Sequence, residues 1–355
     1  MKTIFKSIFF LGFLFLSACQ TTGQVEKREN SKLLSKIIDR GYLRCGVSQG
    51  IPGLSIKKGN NWIGLDVDSC RAISAGIFGN TESVRFIPLS VKDRFVSLMA
   101  GEVDLLARNV TFTDYRRDRL GLRSGGVNFR DGVGFLISKK LPYHVTNLEH
   151  LDKINKKMQL CVYDLKENHY SALKDYLSPY SKKLNYVKIK ENSLLIDRLN
   201  SQDCDIVGGG RGVMSYIRAE LDSPSSFRVL DDIVVSEDLS LITRKGDINW
   251  QRFVRSTLNV LLLAERHGIA ASNIEHADAE ELNKIAELLE DPKYVLQTPQ
   301  TRKHWPLDVV SNVGNYSNIY LRSFGPQTRI HLERGPNALV EHGGTMQPML
   351  LNVVE

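Results

Sequence analysis

Several kinds of chemistry are missing from this 355-residue chain. It holds five cysteines, no two of them in a Cys-x-x-Cys spacing, and its eight histidines are scattered from His144 to His342. That pattern argues against a metal site or a Cys- or His-based active centre, and nothing else in the sequence calls for a cofactor. No Ser/His/Asp constellation gathers near any one strand end, so the chain does not read as an enzyme. The glycine run Gly208 to Gly212 (GGGRG) lacks the Lys-Ser/Thr pair that a phosphate loop needs. Aromatics make up 8% of residues, and the net charge of +7 is spread along the chain without a basic stripe. Nucleic acid is therefore a poor partner for it. The apolar run Ile8 to Leu16 is too short for a permanent membrane helix, which takes about 20 residues.

What is present begins with that run. Lys2 and Lys6 flank its start, and it ends in Leu16-Ser17-Ala18-Cys19. A basic start, a short apolar core and small residues ahead of a Cys resemble the lipobox of a bacterial lipoprotein. The expectation is a leader over 1–18, a lipidated Cys19, and a polar tether over 19–31 between membrane and domain. That places the chain in the bacterial envelope, in the periplasm. Gln20 after the Cys leaves the outer membrane open as the anchoring face.

Four further cysteines, Cys45, Cys70, Cys161 and Cys204, suit two disulfides in an exported chain. Three pairings are open. The sequential one would stabilise by roughly 3–4 kcal/mol per bridge on the chain-entropy model.

Apolar periodicity and turn residues give two α/β units. In the first, a helix over Leu33 to Arg40 leads to a strand over Tyr42 to Val47. A Gly/Pro loop over Ser48 to Gly53 stands where ligand groups often sit in such sheets. Asp66 is expected to cap a helix over Val67 to Phe78. A strand over Val84 to Leu89, a helix over Asp93 to Gly101 and a strand opening at Val103 follow. A strand over Gly132 to Lys139 has the small residues of a crossing between lobes. The second unit has strands at Lys157 to Tyr163, Leu184 to Ile189 and Cys204 to Val207, with helices over Asn168 to Leu177 and Ser193 to Ser201. A strand over Leu239 to Lys245 and helices over Trp250 to His267, Ala279 to Leu289 and Asp308 to Phe324 complete the pattern. The tail after Phe324 shows little periodicity.

The most telling stretch is Val103 to Asp118 (VDLLARNVTFTDYRRD). A short apolar strand runs into Arg108 and Asn109, then Thr111, Thr113 and Arg116, near a helix start. Hydroxyls, free backbone N–H groups and a guanidinium together suit a small carboxylate. A solvated strand end with a capping Thr accounts for the same letters.

Six segments carry a resemblance: Gly41 to Gly50 (GYLRCGVSQG), Gly64 to Ala72 (GLDVDSCRA), Gly101 to Asp104 (GEVD), Arg108 to Thr113 (RNVTFT), Val313 to Tyr316 (VGNY) and Glu333 to Ala338 (ERGPNA). Across about Leu33 to Leu350 the chain resembles the periplasmic solute-binding proteins of general L-amino-acid ABC transporters. The resemblance implies an α/β, two-lobed type II periplasmic binding fold, each lobe an open, mostly parallel sheet flanked by helices. Its lobes would be 32–136 with 236–325, and 137–235, followed by a C-terminal extension over 326–355. It implies that Arg116 clamps a ligand carboxylate, that Asn109 and Thr111 touch ligand beside Arg108, and that Trp62 lines the side-chain pocket. It also implies an ABC permease as partner, and roles for Asp66 and Asp68 that are mainly structural.

The chain departs from that family in lobe two. Where relatives place Gly-Thr-Thr, Tyr163 to Asn168 reads YDLKEN. Where they place the Asp that pairs with the ligand ammonium, Gly210 stands, followed by Arg211. Asp164 is a candidate replacement carboxylate, and Arg211 hints at an anionic group on the ligand. Two readings follow: an importer's receptor for an amino acid or another small carboxylate, or a relative that has left transport and serves as an envelope sensor or protein-binding module.

Overall fold

The computed structural model describes residues 30–142 and 144–351. The leader, Cys19, Gln20 and the tether up to residue 29 lie outside the described residues. So do Tyr143 and residues 352–355. Among the described residues, no helix is long and apolar enough to cross a membrane.

Eleven strands and twelve α-helices run through the described chain. The first unit comprises α1 (Lys32–Arg40), β1 (Leu43–Ser48), the hairpin of β2 (Ile56–Lys58) and β3 (Asn61–Ile63), α2 (Leu65–Phe78), β4 (Val84–Leu89), α3 (Arg94–Ala100), β5 (Leu105–Thr111) and α4 (Asp114–Asp118). A long strand, β6 (Leu122–Ser138), leads to the second unit: β7 (Met158–Tyr163), α5 (Glu167–Tyr176), β8 (Leu184–Ile189), α6 (Asn192–Asn200), β9 (Ile206–Gly210), α7 (Arg211–Glu220) and β10 (Phe227–Val229). The chain returns on β11 (Val235–Arg244) and finishes with α8 (Ile248–Arg266), α9 (Ala271–His276), α10 (Ala279–Leu289), α11 (Trp305–Val313) and α12 (Tyr316–Phe324).

The sheet order is β4-β1-β5-β11-β6-β9-β7-β8, with β10 beside β6. Each flank is parallel: β1 pairs with β4 and β5, and β7 with β8 and β9. Between the flanks, β6 and β11 lie antiparallel from Leu122 opposite Arg244 to Val133 opposite Val235. These two strands carry the chain from one lobe to the other and back. The strand expected over Gly132 to Lys139 is the far half of β6. Gly125, Gly126 and several charged residues break the apolar pattern of its near half, which hid that half from the sequence.

The disulfides take the sequential pairing, Cys45–Cys70 from β1 to α2 and Cys161–Cys204 from β7 to the loop just ahead of β9. Asp66 does not cap α2. Gly64 holds the N-cap position, and Asp66 is the second helical residue, with its side chain buried. The helical region expected over Asp308 to Phe324 is two helices. Gly314, at φ 79°, ends α11, and the Asn315 side chain caps α12 by accepting from the Asn318 amide at 3.0 Å.

The tail folds back onto lobe one. Ile330, Leu332, Leu339 and Met346 join the core built from β1, β5, α2, α8, α11 and α12. Arg334 grips Glu265 of α8 at 2.5 Å, and the Asn337 amide clasps the backbone of Arg130 on β6, accepting from its N–H at 2.7 Å and donating to its carbonyl at 2.8 Å. Burying apolar residues at both ends of this loop offsets the entropy of ordering it.

Candidate functional site

The strand ends of both flanks and the two crossing strands meet around a cleft of about 460 Å³. Its lobe-one wall starts from β5. Asn109 takes a left-handed conformation, φ 39°, uncommon for a residue other than Gly. The turn is braced from below. Buried Arg108 donates from Nε to the Leu89 carbonyl at 2.9 Å and from Nη1 to Asn109 Oδ1 at 2.5 Å. Buried Asp66 accepts from Asn128 Nδ2 at 2.8 Å. Burial pushes the Asp66 carboxyl up to about 6, against the Asn128 and Asn109 hydrogen bonds and the Arg108 charge.

Beyond the turn, Thr111 and Arg116 line the cleft. Thr113 caps α4 by accepting from the Arg116 amide at 3.3 Å, and the Arg116 guanidinium donates to the Thr111 carbonyl. Arg94, at the start of α3, lines the same wall. The two guanidinium carbons lie 4.7 Å (Arg94) and 5.2 Å (Arg116) from the Phe95 ring centre. Arg94 is 8% exposed, and its buried Nε has no hydrogen-bond partner. Burial and the charges of Arg108 and Arg116 pull its guanidinium down to about 10. A cation so placed is stabilised by an incoming anion. The sequence marked Arg94 only as part of a helix; its signal is an Arg at a helix start near the strand ends.

The floor is aromatic. Phe324, at the end of α12, stacks on Phe129 of β6 with ring centres 5.0 Å apart. It also fills the space where a side chain at Gly53 would stand, 2.2 Å from a Cβ there, and Gly53 itself is at φ 81°. The loop over Ser48 to Gly53 thus supplies Ile51 and Pro52 to the cleft because Gly53 lets it fold over Phe324.

Lobe two contributes Tyr163 to Lys166, His169, Gly210, Gly212 and Val213. Asp164, at φ 45°, turns the chain off β7. The carboxylates expected of a counter-ion come mainly from the crossing strands. Asp131 of β6 and Glu237 of β11 are direct cross-strand partners, and both line the cleft. Asp131 Oδ1 accepts from the Gly212 amide at 3.1 Å. A Cβ at Gly210 would lie 4.0 Å from Asp131 Oδ2, so the Asp131 carboxylate sits beside the position emptied at Gly210. Burial raises the Asp131 carboxyl and the Glu237 charge adds to this, while the amides of Gly212 and Gly132 and the charge of Arg211 oppose it. Burial lowers the Arg116 guanidinium, and the Glu237 charge acts the other way. Phe129, Asp131 and Val133 alternate along one face of β6, a period-2 signal the sequence carried but the unread strand concealed.

Of the six residues expected to touch ligand, Asn109, Thr111 and Arg116 line the cleft together. Three stand elsewhere. Arg108 lies behind the wall and braces it. Trp62, on β3, packs toward Phe86 with ring centres 6.1 Å apart, and its carbonyl accepts from Arg71 at 2.9 Å. Arg211 is 1% exposed and points away from the cleft. Its stem lies across Gly134 of β6, and its guanidinium donates to the Leu230 carbonyl at 3.3 Å and to Asp231 at 3.2 Å.

The model of the bacterial extracellular solute-binding proteins, family 3, matches residues 43–266, more than half of the chain. The chain belongs to that family. Over 313 residues, 88% of this chain and 90% of its relative, it is 31% identical to YhdW of Escherichia coli K12, named as a candidate amino-acid ABC transporter-binding protein. It is 30% identical over 315 residues to the general L-amino acid-binding periplasmic protein AapJ of Rhizobium johnstonii, covering 88% of this chain and 90% of AapJ. A solved periplasmic binding protein from Brucella ovis, with glutathione bound, superposes with a TM-score of 0.70 at 30% identity, over 91% of this chain and all of that one. The family model thus spans both lobes, and these relatives match over most of the chain.

Proposed function

We propose that this family 3 protein is the receptor of an ABC importer for an acidic, amino-acid-like solute that carries an ammonium group and at least two carboxylates. One observation carries the reading: two guanidinium groups, Arg94 and Arg116, face a carboxylate pair, Asp131 and Glu237, across one cleft. A free α-amino acid with a side-chain carboxylate, or a γ-glutamyl peptide, presents charges in that pattern. Arg116 takes the α-carboxylate and Arg94 the second anion, while Asp131, replacing the missing residue at 210, takes the ammonium. The Brucella relative holds glutathione, and a Rhodobacter capsulatus relative, 29% identical, is named for glutamate, glutamine, aspartate and asparagine. Lys166 on lobe two supplies further positive charge to the same cleft, which His169 also lines.

In this reading lobe one is 32–136 with 236–325, lobe two is 137–235, and closure about β6 and β11 traps the solute for a membrane permease. Cys19, after Leu16-Ser17-Ala18, is the lipid anchor that keeps the receptor at the periplasmic face of a membrane.

Calorimetric titration with glutamate, aspartate and glutathione tests the assignment. At least one is expected to bind saturably, and Arg116→Ala to weaken it on the order of a hundredfold, as removal of one partner of a buried charge pair does. Absence of saturable binding by any of the three, with the protein folded, would overturn it.

A further inference from the structure

On the far side of the first turn of α7 from the ligand cleft lies a second cavity, of about 700 Å³, between lobe two and the tail. Five cationic side chains line it: Lys139, Arg211, Arg218, Arg228 and Arg329. Two carboxylates line it as well. Asp231 is taken by Arg211, at 3.2 Å, and Glu333 stands 3.5 Å from His331 Nε2. Positive charge is therefore in excess.

The arginines form a framework. Arg218 donates to the carbonyls of Ile330 and His331, and Arg329 donates to the Ala219 carbonyl at 3.1 Å, so they stitch the tail to α7. Arg228 donates to His144 Nε2 at 3.0 Å. Arg211 is the unfinished member. It is 99% buried, yet its Nη1 has no hydrogen-bond partner. Its carboxylate partner, Asp231, is exposed, so the buried charge is incompletely balanced.

We infer that this cavity is a binding site for a small multivalent oxyanion of the phosphate class, distinct from the ligand cleft. A phosphate or diphosphate group offers several oxygens to guanidinium forks and balances charge that a single carboxylate leaves uncompensated. The concave shape suits a small molecule held between two walls. Arg211 supplies buried positive charge to the cavity wall, and Lys139, just past the end of β6, and Arg228 of β10 line the same cavity.

Pyrophosphate is the probe, titrated into the full chain by calorimetry. Arg211 supports the fold, so the test uses the more peripheral pair. Saturable binding is expected, weakened at least about tenfold in Lys139→Ala with Arg228→Ala, retained in the doubly Lys- and Arg-conserving control Lys139→Arg with Arg228→Lys, and unchanged in Arg116→Ala. The inference is overturned if the wild type shows no saturable binding at millimolar pyrophosphate, if the double Ala variant binds equally well, or if Arg116→Ala alone abolishes binding, which would place the anion in the cleft. Flotation with phosphatidylglycerol vesicles in the absence of pyrophosphate binding would assign the charges to a membrane surface instead, and would equally overturn it.

Discussion

The two walls of the cleft are built differently. Behind the lobe-one wall, α2 buries twelve of its fourteen residues, and α5, behind the lobe-two wall, buries one of its ten. Asn109 is held by Arg108, which is itself tied to the Leu89 carbonyl. On the other side Asp164 and Lys166 are exposed, and the N-cap of α5 has no side-chain hydrogen bond. A braced wall keeps a carboxylate grip at fixed geometry, where small displacements are costly. A lightly buried wall tolerates exchange of its side chains at little cost in stability. In the proposed reading the anion grip therefore stays with lobe one while lobe two is free to vary, and the ammonium partner sits on the crossing strands, which belong to both.

Loss of the carboxylate pair breaks that division at the crossing strands. Combining Asp131→Asn with Glu237→Gln is expected to weaken an amino-acid ligand on the order of thirtyfold, ~2 kcal/mol, as loss of a buried hydrogen-bonded charge partner does. The same ligand with its amino group replaced by hydrogen should bind the variant and the wild type alike, measured by titration of both. Equal losses for both ligands would mean that the two carboxylates only hold β6 and β11 in place.

Much of this architecture was legible in the sequence. Strand and helix periodicity marked both parallel flanks, and the RNVTFT segment contains Asn109 and Thr111, which line the cleft. What the sequence hid follows from physical causes. The near half of β6 has glycines and charges where an apolar strand would show its pattern, so Phe129 and Asp131 went unseen as cleft residues. Arg94 shares its local signature with any helix-start Arg, and only tertiary packing beside Phe95 brings it to Arg116. Arg211 misled because adjacency to Gly210 says nothing of side-chain direction: Gly134, 77 positions earlier in the chain, decides where its stem lies. The tail lacked periodicity because it is held by separate anchors, Leu332, Arg334, Asn337 and Leu339, rather than by a helix.

A stability comparison sharpens the contrast between the walls. Gly53→Ala places a Cβ against the Phe324 ring at a backbone angle that L residues rarely adopt. It is expected to cost about 2 kcal/mol in denaturant unfolding, by overpacking and strain together. Lys166→Ala on the opposite wall is exposed and is expected to stay within about 0.5 kcal/mol of the wild type. Comparable losses in the two variants would show that lobe two is as tightly braced as lobe one.

A last test probes the bracing itself through pH. The Asp66 carboxyl is raised from 3.8 to about 6 in the folded chain. Between those values the unfolded chain has released the proton and the folded chain still holds it. The contribution of Asp66 to stability is thus fully present below the unfolded value and is lost as pH rises through the folded one. Asp66→Asn has no such proton to lose and keeps an oxygen for Asn128 Nδ2 to donate to. It gives up the attraction between the ionised carboxylate and Arg108, which limits the net change at neutral pH. The melting temperature of the variant relative to the wild type is therefore expected to rise between about pH 4 and pH 7. A difference that stays flat across that range would mean Asp66 is ionised throughout, and that the wall beneath Asn109 is held by a full ion pair with Arg108.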